Sequence, residues 1–311
     1  EAEEESEGID DLYMKYIEKK KKFLIKIYPE HQDTIEKHLS LEGYEEQEIQ
    51  RSEILTNFTV DENLQLDQNY PRLNSNYFDY SPEEILIGGG VRPLIYTVYK
   101  ATVNPNESVI YPVPSWNNNH YCFLHGVEKN EIECSPENSF FPTVRDIEIR
   151  IGDNTSLVCI CSPQNPTGRV INPEVLKGIC ELIVKENKLR SSQLSSRPLY
   201  LFFDQIYSDI TKEGLFIHPL TLCPEIRDYL ICADGISKSL NATGVRVGWL
   251  FGPKDIIGKM TEVLSHIGAW APKPEQRALD VYIREDYEDY ISHINYVTKE
   301  YEYISDKICG K

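Results

Sequence analysis

The sequence predicts an α/β domain in which a largely parallel sheet is covered on both faces by helices. Short apolar runs recur along the chain from residue 81 onward, and segments with helical periodicity separate them. The runs are apolar throughout, without the alternation of polar and apolar residues that a half-exposed strand shows. Strands of this composition are buried on both faces, which requires a layer of helices on each side of the sheet.

The predicted strands and helices alternate along the chain. The segment "EEILIGGG" is predicted to be a strand that runs into glycines, and "RPLIYTVYKATV" is predicted to be the helix after it. A second helix is predicted at "NPEVLKGICELIVKEN", where Asn172 and Pro173 have the residue types that begin helices. A charged, Tyr-rich pattern predicts one long helix over 275–307. Further strands are predicted at "ESVIYPVP", "TSLVCICS", "PLYLFFD", "YLICADG" and "RVGWLFG".

Three segments are expected along the chain. Residues 1–80 are predicted to be an N-terminal helical and irregular segment, because helical periodicity over 9–50 gives way to an Asn-, Asp- and Tyr-rich stretch. Residues 81–272 carry the alternating pattern and are predicted to be the large domain. Residues 273–311 are predicted to be a connecting helix and the start of a second, incomplete small domain.

Composition limits the classes of partner. The chain has 311 residues, 41% of them hydrophobic, which is enough for a sizeable core. Its formal net charge of −18 disfavours a nucleic-acid partner, which requires a basic face, and no apolar run is long enough to span a membrane. The eight cysteines show neither a CxxC pair nor metal-ligand spacing, so we expect no metal site and reduced thiols in a cytoplasmic protein.

Polar side chains follow the predicted strands at the edge of the sheet where ligands bind in open α/β folds. Arg246 precedes its strand instead, but the short hairpin after Lys238 would return it to the same rim. The residues that follow strands are Gly88 to Arg92, Ser115 and Trp116, Asn165, Asp204 to Tyr207, and Ser237 and Lys238.

One end of this rim is suited to an anion. The segment "GGGVR" lies at a strand-to-helix turn, where free backbone N–H groups and the helix dipole attract phosphate. Arg92 and Arg246 would add charge-assisted hydrogen bonds. Two structural alternatives remain open, because glycines also serve tight turns and Arg246 could form a structural ion pair.

The other end of the rim is suited to a flat, carbonyl-bearing ring. Asp204 ends an apolar strand and needs a cationic partner to offset its desolvation, and Tyr207 follows three residues later. Trp116 could stack on a ring or pack in the core, and Asn165 could bind a ligand or serve its turn. Lys238, if desolvated, would be a nucleophile able to form a Schiff base; the alternative is a lysine that extends to solvent.

The ordered motifs "NPTG", "DQIY" and "SK" with an arginine eight residues on, preceded by "GGGVR" and "PSW", resemble the fold-type I pyridoxal-phosphate (PLP) enzymes. The nearest branch is the class I/II aminotransferases of the aspartate aminotransferase type. The resemblance covers residues 81 to about 285, roughly two thirds of the chain. It implies the large-domain fold of the PLP-dependent transferases.

The resemblance also implies a role for each residue of the rim. Lys238 would form the Schiff base with PLP and move the substrate α-proton, Asp204 would pair with the pyridine nitrogen, and Tyr207 would contact the phenolic oxygen. These three are the implied catalytic residues. The remaining implied cofactor contacts are Asn165 to the phenolic oxygen, Trp116 stacked on the ring, and Gly90, Val91, Arg92, Ser237 and Arg246 around the phosphate.

The function that the resemblance implies is a cytoplasmic, homodimeric aminotransferase that moves an amino group between an amino acid and a 2-oxo acid. Two alternatives stay open: another fold-type I reaction, such as that of a β-lyase or synthase, and a non-catalytic binding module of the same fold. The family's small domain carries an arginine for the substrate α-carboxylate, and neither Arg277 nor Arg284 lies in the expected motif. The "Y…G…LR" segment expected upstream of residue 81 is not found.

Overall fold

The computed structural model describes residues 80–192, 197–212 and 214–309, so the predicted N-terminal segment lies outside the described residues except for Tyr80. The described chain forms one seven-stranded sheet. The strands are β1 (Ile85–Gly88), β2 (Ser108–Val113), β3 (Glu128–Glu133), β4 (Thr155–Cys161), β5 (Tyr200–Asp204), β6 (Leu230–Gly235) and β7 (Gly248–Phe251).

The strand order is β1-β7-β6-β5-β4-β2-β3. The neighbours from β3 to β6 pair in parallel, whereas β7 runs antiparallel to both β1 and β6. The connection from β6 to β7, residues 236–247, holds only a four-residue helix (Ile236–Ser239) and no long crossover helix, and β7 runs back antiparallel beside β6. The prediction of a mostly parallel sheet between helices is therefore confirmed.

The edge strand β3 was not predicted from the sequence. In its segment "EKNEIE" only Ile132 is buried, because an edge strand has a neighbour on one side alone. The phenol of Tyr111 on β2 donates a 2.6 Å hydrogen bond to Glu131, which joins the edge strand to its neighbour. A strand with one buried side chain lacks the apolar run by which the other strands were recognised.

Nine helices accompany the sheet in the described residues, and three 3₁₀ turns (Pro82–Glu84, Pro136–Asn138, Pro224–Tyr229) join them. Helix α4 begins as predicted, since Asn172 Oδ1 accepts hydrogen bonds from the backbone N–H groups of Glu174 and Val175. The helices are α1 (Val91–Thr102), α2 (Asn118–His125), α3 (Val144–Glu148), α4 (Pro173–Ser191), α5 (Pro219–Leu222), α6 (Ile236–Ser239), α7 (Lys254–Ile267), α8 (Lys273–Glu285) and α9 (Tyr287–Cys309).

The single long helix predicted over 275–307 is wrong, because two helices, α8 and α9, meet at Asp286. Asp286 has φ −122° and ψ 37°, outside the helical region. Its backbone N–H donates to the carbonyl of Tyr282 in α8, and its own carbonyl accepts from the N–H of Tyr290 in α9. One residue thus ends the first helix and starts the second, in a position that aspartate favours.

Each face of the sheet has its own core. On one face Phe202 of β5 and Leu157 of β4 pack with residues of α1 and α7. On the other face Phe203 of β5 packs with residues of α4, α8 and α9, among them Leu279 and Ile294. Because side chains alternate along each strand, the polar residues that end the strands emerge at one edge, above these two cores.

Candidate functional site

Three glycines in register allow backbones to approach closely at one end of the sheet. Gly248 of β7 pairs with Gly88 of β1 on one side and with Gly235 of β6 on the other. A Cβ atom on Gly235 would lie 2.8 Å from the Cα of Gly248, and one on Gly248 would lie 3.0 Å from the backbone nitrogen of Val91. The row therefore brings the first residues of α1 and α6 together across β7.

Arg246 lies at the rim, as expected from the turn that follows Lys238 in the sequence. Its Nη2 donates a 2.6 Å hydrogen bond to the carbonyl of Gly89, and its Nη1 donates a 2.7 Å bond to the carbonyl of Thr243. The hydroxyl of Thr243 in turn donates to the carbonyl of Ser237 at 2.9 Å. In the described part of the chain Arg246 has no carboxylate partner, so the structural ion pair left open by the sequence is not formed there.

Gly90 precedes helix α1 and closes against Arg246. Its φ of 86° lies in the region that glycine alone adopts freely, and an added Cβ would lie 2.7 Å from the guanidinium carbon of Arg246. The first turn of α1 contains no acidic residue. Backbone N–H groups, the positive end of the helix dipole and a guanidinium with no carboxylate partner in the described chain therefore meet at one point, which favours an anion.

Val91 and Arg92 begin helix α1 and face different neighbours. A Cγ atom of Val91 lies 3.4 Å from the point that a Cβ on Gly235 would occupy, so Val91 covers the glycine row. Arg92 is exposed, and its guanidinium lies 4.8 Å from the ring centroid of Trp116. Trp116 is half-buried against the core on the α1 face. Arg92 thus covers one face of the indole by a cation–π contact.

Asp204 lies at the end of β5 between two small residues. Its neighbours in register are Cys161 of β4 and Ala233 of β6. One carboxylate oxygen accepts a 3.2 Å hydrogen bond from the backbone N–H of Ile206. Burial raises the pKa of the Asp204 carboxyl to about 6, and no cation pairs with it among the described residues. The neighbours of this carboxylate in the sheet are therefore small side chains, and none of them is a cation.

Asn165 and Tyr207 from two loops and Lys238 from the short helix α6 come together. The side-chain amide of Asn165 donates a 3.2 Å hydrogen bond to the Tyr207 phenol, and the Lys238 ammonium lies 5.8 Å from the Tyr207 ring centroid. Burial is the main cause of the raised pKa of Tyr207. Lys238 and Ser237 are half-buried on the short helix α6, directly after the glycine row. Helix α6 therefore connects the anion end of the rim with the end that holds Asn165, Tyr207 and Lys238.

Two further residues need comment. Arg277, which does not lie in the motif expected for a substrate-carboxylate ligand, forms a 2.8 Å ion pair with the buried carboxylate of Asp280, three residues later. Its charge is therefore already matched within α8. The importance of Gly248 was missed, although a single glycine inside an apolar strand is a signal of close backbone approach.

The described residues hold no cluster of three or more His, Cys, Asp or Glu side chains arranged to bind a metal ion. Of the helices in the same residues, none combines the length and the apolar character needed to cross a bilayer.

Comparisons with known proteins identify relatives of the whole site region. The family model for aminotransferase class I and II matches residues 62–292, which include every residue of the rim. An aspartate aminotransferase of Bacillus sp. (strain YM-2) is 32% identical over 193 residues, which are 61% of this chain and 46% of that protein. An asparagine–oxo-acid transaminase of Streptococcus mutans is 29% identical over 197 residues, with the same coverage of both chains.

Solved structures show the same fold. Aspartate aminotransferase from Thermus thermophilus with maleate superposes with a TM-score of 0.64 at 25% identity, over 71% of this chain and 55% of that chain. The tetra mutant 2 of the Thermus thermophilus enzyme, complexed with tryptophan, reaches a TM-score of 0.69 over 83% of this chain and 61% of that chain. The chain spans about half the length of the curated relatives it matches.

The family match extends over most of the chain and agrees with the sheet topology and with the motifs on the rim. Aminotransferases of this family use pyridoxal phosphate as their cofactor. On this ground the chain belongs to the class I and II aminotransferase family.

Proposed function

We propose that the protein is a PLP-dependent aminotransferase that moves an amino group between an amino acid and a 2-oxo acid. One observation carries the proposal: a single rim holds a half-buried lysine beside an amide–phenol pair, and an arginine whose guanidinium, among the described residues, donates only to backbone carbonyls. Membership of the family and the aminotransferase names of the relatives support it.

The anion end of the rim fits the phosphate of PLP. Gly90 leaves a cradle that a Cβ would fill, and Arg246 lies against that cradle with no carboxylate partner in the described chain. Phosphate oxygens would take hydrogen bonds from the N–H groups at the start of α1 and from the guanidinium. Our proposed phosphate contacts are Gly90, Val91, Arg92, Ser237 and Arg246.

The ring end of the rim fits the pyridine ring. The Asp204 carboxyl, whose pKa burial raises to about 6, would be stabilised as a carboxylate by a protonated ring nitrogen. Its neighbours in the sheet, Cys161 and Ala233, are small, which suits a flat ring beside the carboxylate. Asn165 and Tyr207 already share one hydrogen bond and would both reach the phenolic oxygen. Trp116 is our proposed stacking partner for the ring.

Each residue then has one task in the reaction. PLP, when bound, supplies an aldehyde that condenses with amines and a ring that takes up the electrons of a broken C–H bond. Lys238 would hold the cofactor and carry the proton to and from the substrate α-carbon. Asp204 would hold the proton on the ring nitrogen. The Tyr207 phenol and the Asn165 amide would donate hydrogen bonds at the phenolic oxygen.

The substrates we propose are acidic amino acids and their amides, with matching 2-oxo acids. The relatives support this choice, since they include proteins named as aspartate, asparagine and aspartate/prephenate aminotransferases. Arg277 is not the group that would bind the substrate carboxylate, because Asp280 already matches its charge. A coupled assay with aspartate or asparagine and 2-oxo acids tests the reaction. A lyase or synthase product from the same amino acids would contradict it.

Location and assembly are part of the same proposal. Seven cysteines of the described residues are free thiols, which supports a reducing compartment and hence the cytoplasm. We also propose a homodimer, because Phe123 on α2 is 80% exposed beside the exposed Leu124 and a second copy would cover both. The division into segments 1–80, 81–272 and 273–311 also remains a proposal.

Lys238 is expected to be the covalent attachment point of PLP. Incubation with PLP should give a visible absorption band that borohydride reduction removes, and peptide mass spectrometry should place the reduced pyridoxyl group on Lys238. The variant Lys238→Ala should lack both signals, whereas Lys254→Ala, which removes an exposed lysine at the start of α7, should retain them. A pyridoxyl group on another lysine would refute the assignment.

Asp204→Asn is expected to stabilise the cofactor-free chain at neutral pH. The folded-state pKa of Asp204 is raised to about 6, above its unfolded value, so the unfolded state loses its proton first as pH rises. The parent should therefore lose about 1–3 kcal/mol of stability between about pH 4 and pH 7, and the variant should not. Urea unfolding of both proteins across this range measures the gap, which should close near pH 4.

The same substitution is expected to impair the chemistry. An amide cannot hold the ring nitrogen protonated, so exchange of the substrate α-hydrogen with solvent should slow by about 100-fold or more. Proton exchange followed by NMR gives this rate directly. Near-normal exchange in Asp204→Asn, with PLP still bound to Lys238, would disprove the role of Asp204.

Gly90→Ala is expected to weaken PLP binding by about tenfold or more. The new Cβ would collide with the Arg246 guanidinium and occupy the proposed phosphate cradle. Gly126→Ala is the matched control, because Gly126 also has a positive φ (63°) but an added Cβ there would meet nothing within 4 Å. Both variants should lose stability, and Gly90→Ala alone should lose affinity in an absorbance titration. Equal affinities would rule out the cradle.

A further inference from the structure

Helix α9 packs along the body of the protein by one stripe of side chains. Tyr290, Ile294 and Val297 are buried and recur every three or four residues, which places them on one face of the helix. Tyr290 and Ile294 belong to the core that covers one face of the sheet. The next positions of this stripe are Thr298 and Tyr301, the second of which is 43% exposed.

One polar contact and one hydrogen bond extend the stripe to segments next to site residues. The hydroxyl of Thr298 lies 3.4 Å from the carbonyl of Asp209, two residues after Tyr207, and it also donates to Ile294 at 2.9 Å. The phenol of Tyr301 donates a 3.1 Å hydrogen bond to the side-chain carbonyl of Asn241. Because Asn241 follows Lys238 by three residues, α9 contacts the loops of both Tyr207 and Lys238.

The turn that contains Asn241 is connected to the candidate site at three points. The backbone N–H of Asn241 donates to the carbonyl of Lys238 at 3.2 Å, and Asn241 itself has a φ of 52°. Thr243 in the same turn bonds to Ser237, and Arg246 at its end bonds back to Thr243. A shift of Asn241 would therefore be transmitted to Ser237, Lys238 and Arg246 together.

We propose that Tyr301 is a positioning residue of the candidate site, which holds the 239–246 turn in place through its hydrogen bond to Asn241. The role in the site rests on the proposed function, whereas the hold on the turn does not. Tyr301 also lies close enough to Tyr207 to contribute to its raised pKa, after the larger effects of burial and of Cys161. The Tyr301 side chain, on a helix near the end of the described chain, thus contacts the turn after Lys238 and lies near Tyr207.

Amide hydrogen exchange of the cofactor-free chain tests the contact. Tyr301→Phe keeps the ring and removes the donor, so the bonded amides of Asn241, Ala242 and Val245 should exchange about fivefold faster, a factor equivalent to about 1 kcal/mol for one hydrogen bond. Tyr296→Phe is the control, because Tyr296 lies on the same helix, is 62% exposed and is five residues from Tyr301, toward the opposite face.

A second variant tests the partner. Asn241→Gly removes the acceptor and tolerates the positive φ, so it should speed exchange in the turn as Tyr301→Phe does. The double variant should exchange no faster than the faster single variant, because both changes remove the same bond. Unchanged exchange in Tyr301→Phe, equal acceleration in Tyr296→Phe, or additive effects in the double variant would each overturn the contact.

The role in the site is measured separately as the rate at which PLP dissociates from the loaded protein. This rate should rise about fivefold in Tyr301→Phe and stay at the parent value in Tyr296→Phe. Faster exchange of the turn with an unchanged dissociation rate would show that the contact exists but does not position the site. If the parent chain bound no PLP, the proposed function and the role of Tyr301 in it would both fail, and hydrogen exchange would still decide the contact.

Discussion

The close approach of three backbones at Gly88, Gly248 and Gly235 is the constraint on which the rest of the rim depends. A Cβ on Gly235 would lie 2.8 Å from the Cα of Gly248, so a side chain here would force β6 and β7 apart. Only with these strands in contact does the hairpin return Arg246 to Gly89, across the start of α1. The anion end of the rim and the helix that carries Lys238 thus share one support.

The two ends of the rim hold opposite charges that the described chain leaves unmatched. Arg246 donates to carbonyls and has no carboxylate partner, while Asp204 is desolvated enough that its pKa rises to about 6. A structure optimised for stability alone would pair such groups, because an unmatched charge costs free energy when it is removed from water. Their presence on one rim suits a ligand that carries an anion at one end and a cationic ring at the other.

The sequence predicted the central strands and which residues follow them at the rim. It missed features that depend on burial at an edge of the sheet, on a local break in a helix, or on contacts between residues far apart in the chain. Strands β4, β5 and β6 are apolar throughout because both faces are covered, whereas β3 buries only Ile132 and was missed. The break at Asp286 was missed because the helical periodicity continues on both sides of it. The bond between Tyr301 and Asn241 joins residues 60 positions apart, and no local pattern marks either partner.

The cofactor site that we propose for the rim bears on how the reaction is selected. A lysine, a carboxylate and an anion cradle serve any reaction in which a ring takes up the electrons of a bond to the α-carbon. The outcome depends on which of these bonds stands perpendicular to the ring, since only that bond overlaps the π-system. That angle is set by the groups that fix the substrate carboxylate. Because Arg277 is paired with Asp280, we propose that groups other than Arg277 bind the carboxylate above the rim and so decide between transfer and elimination.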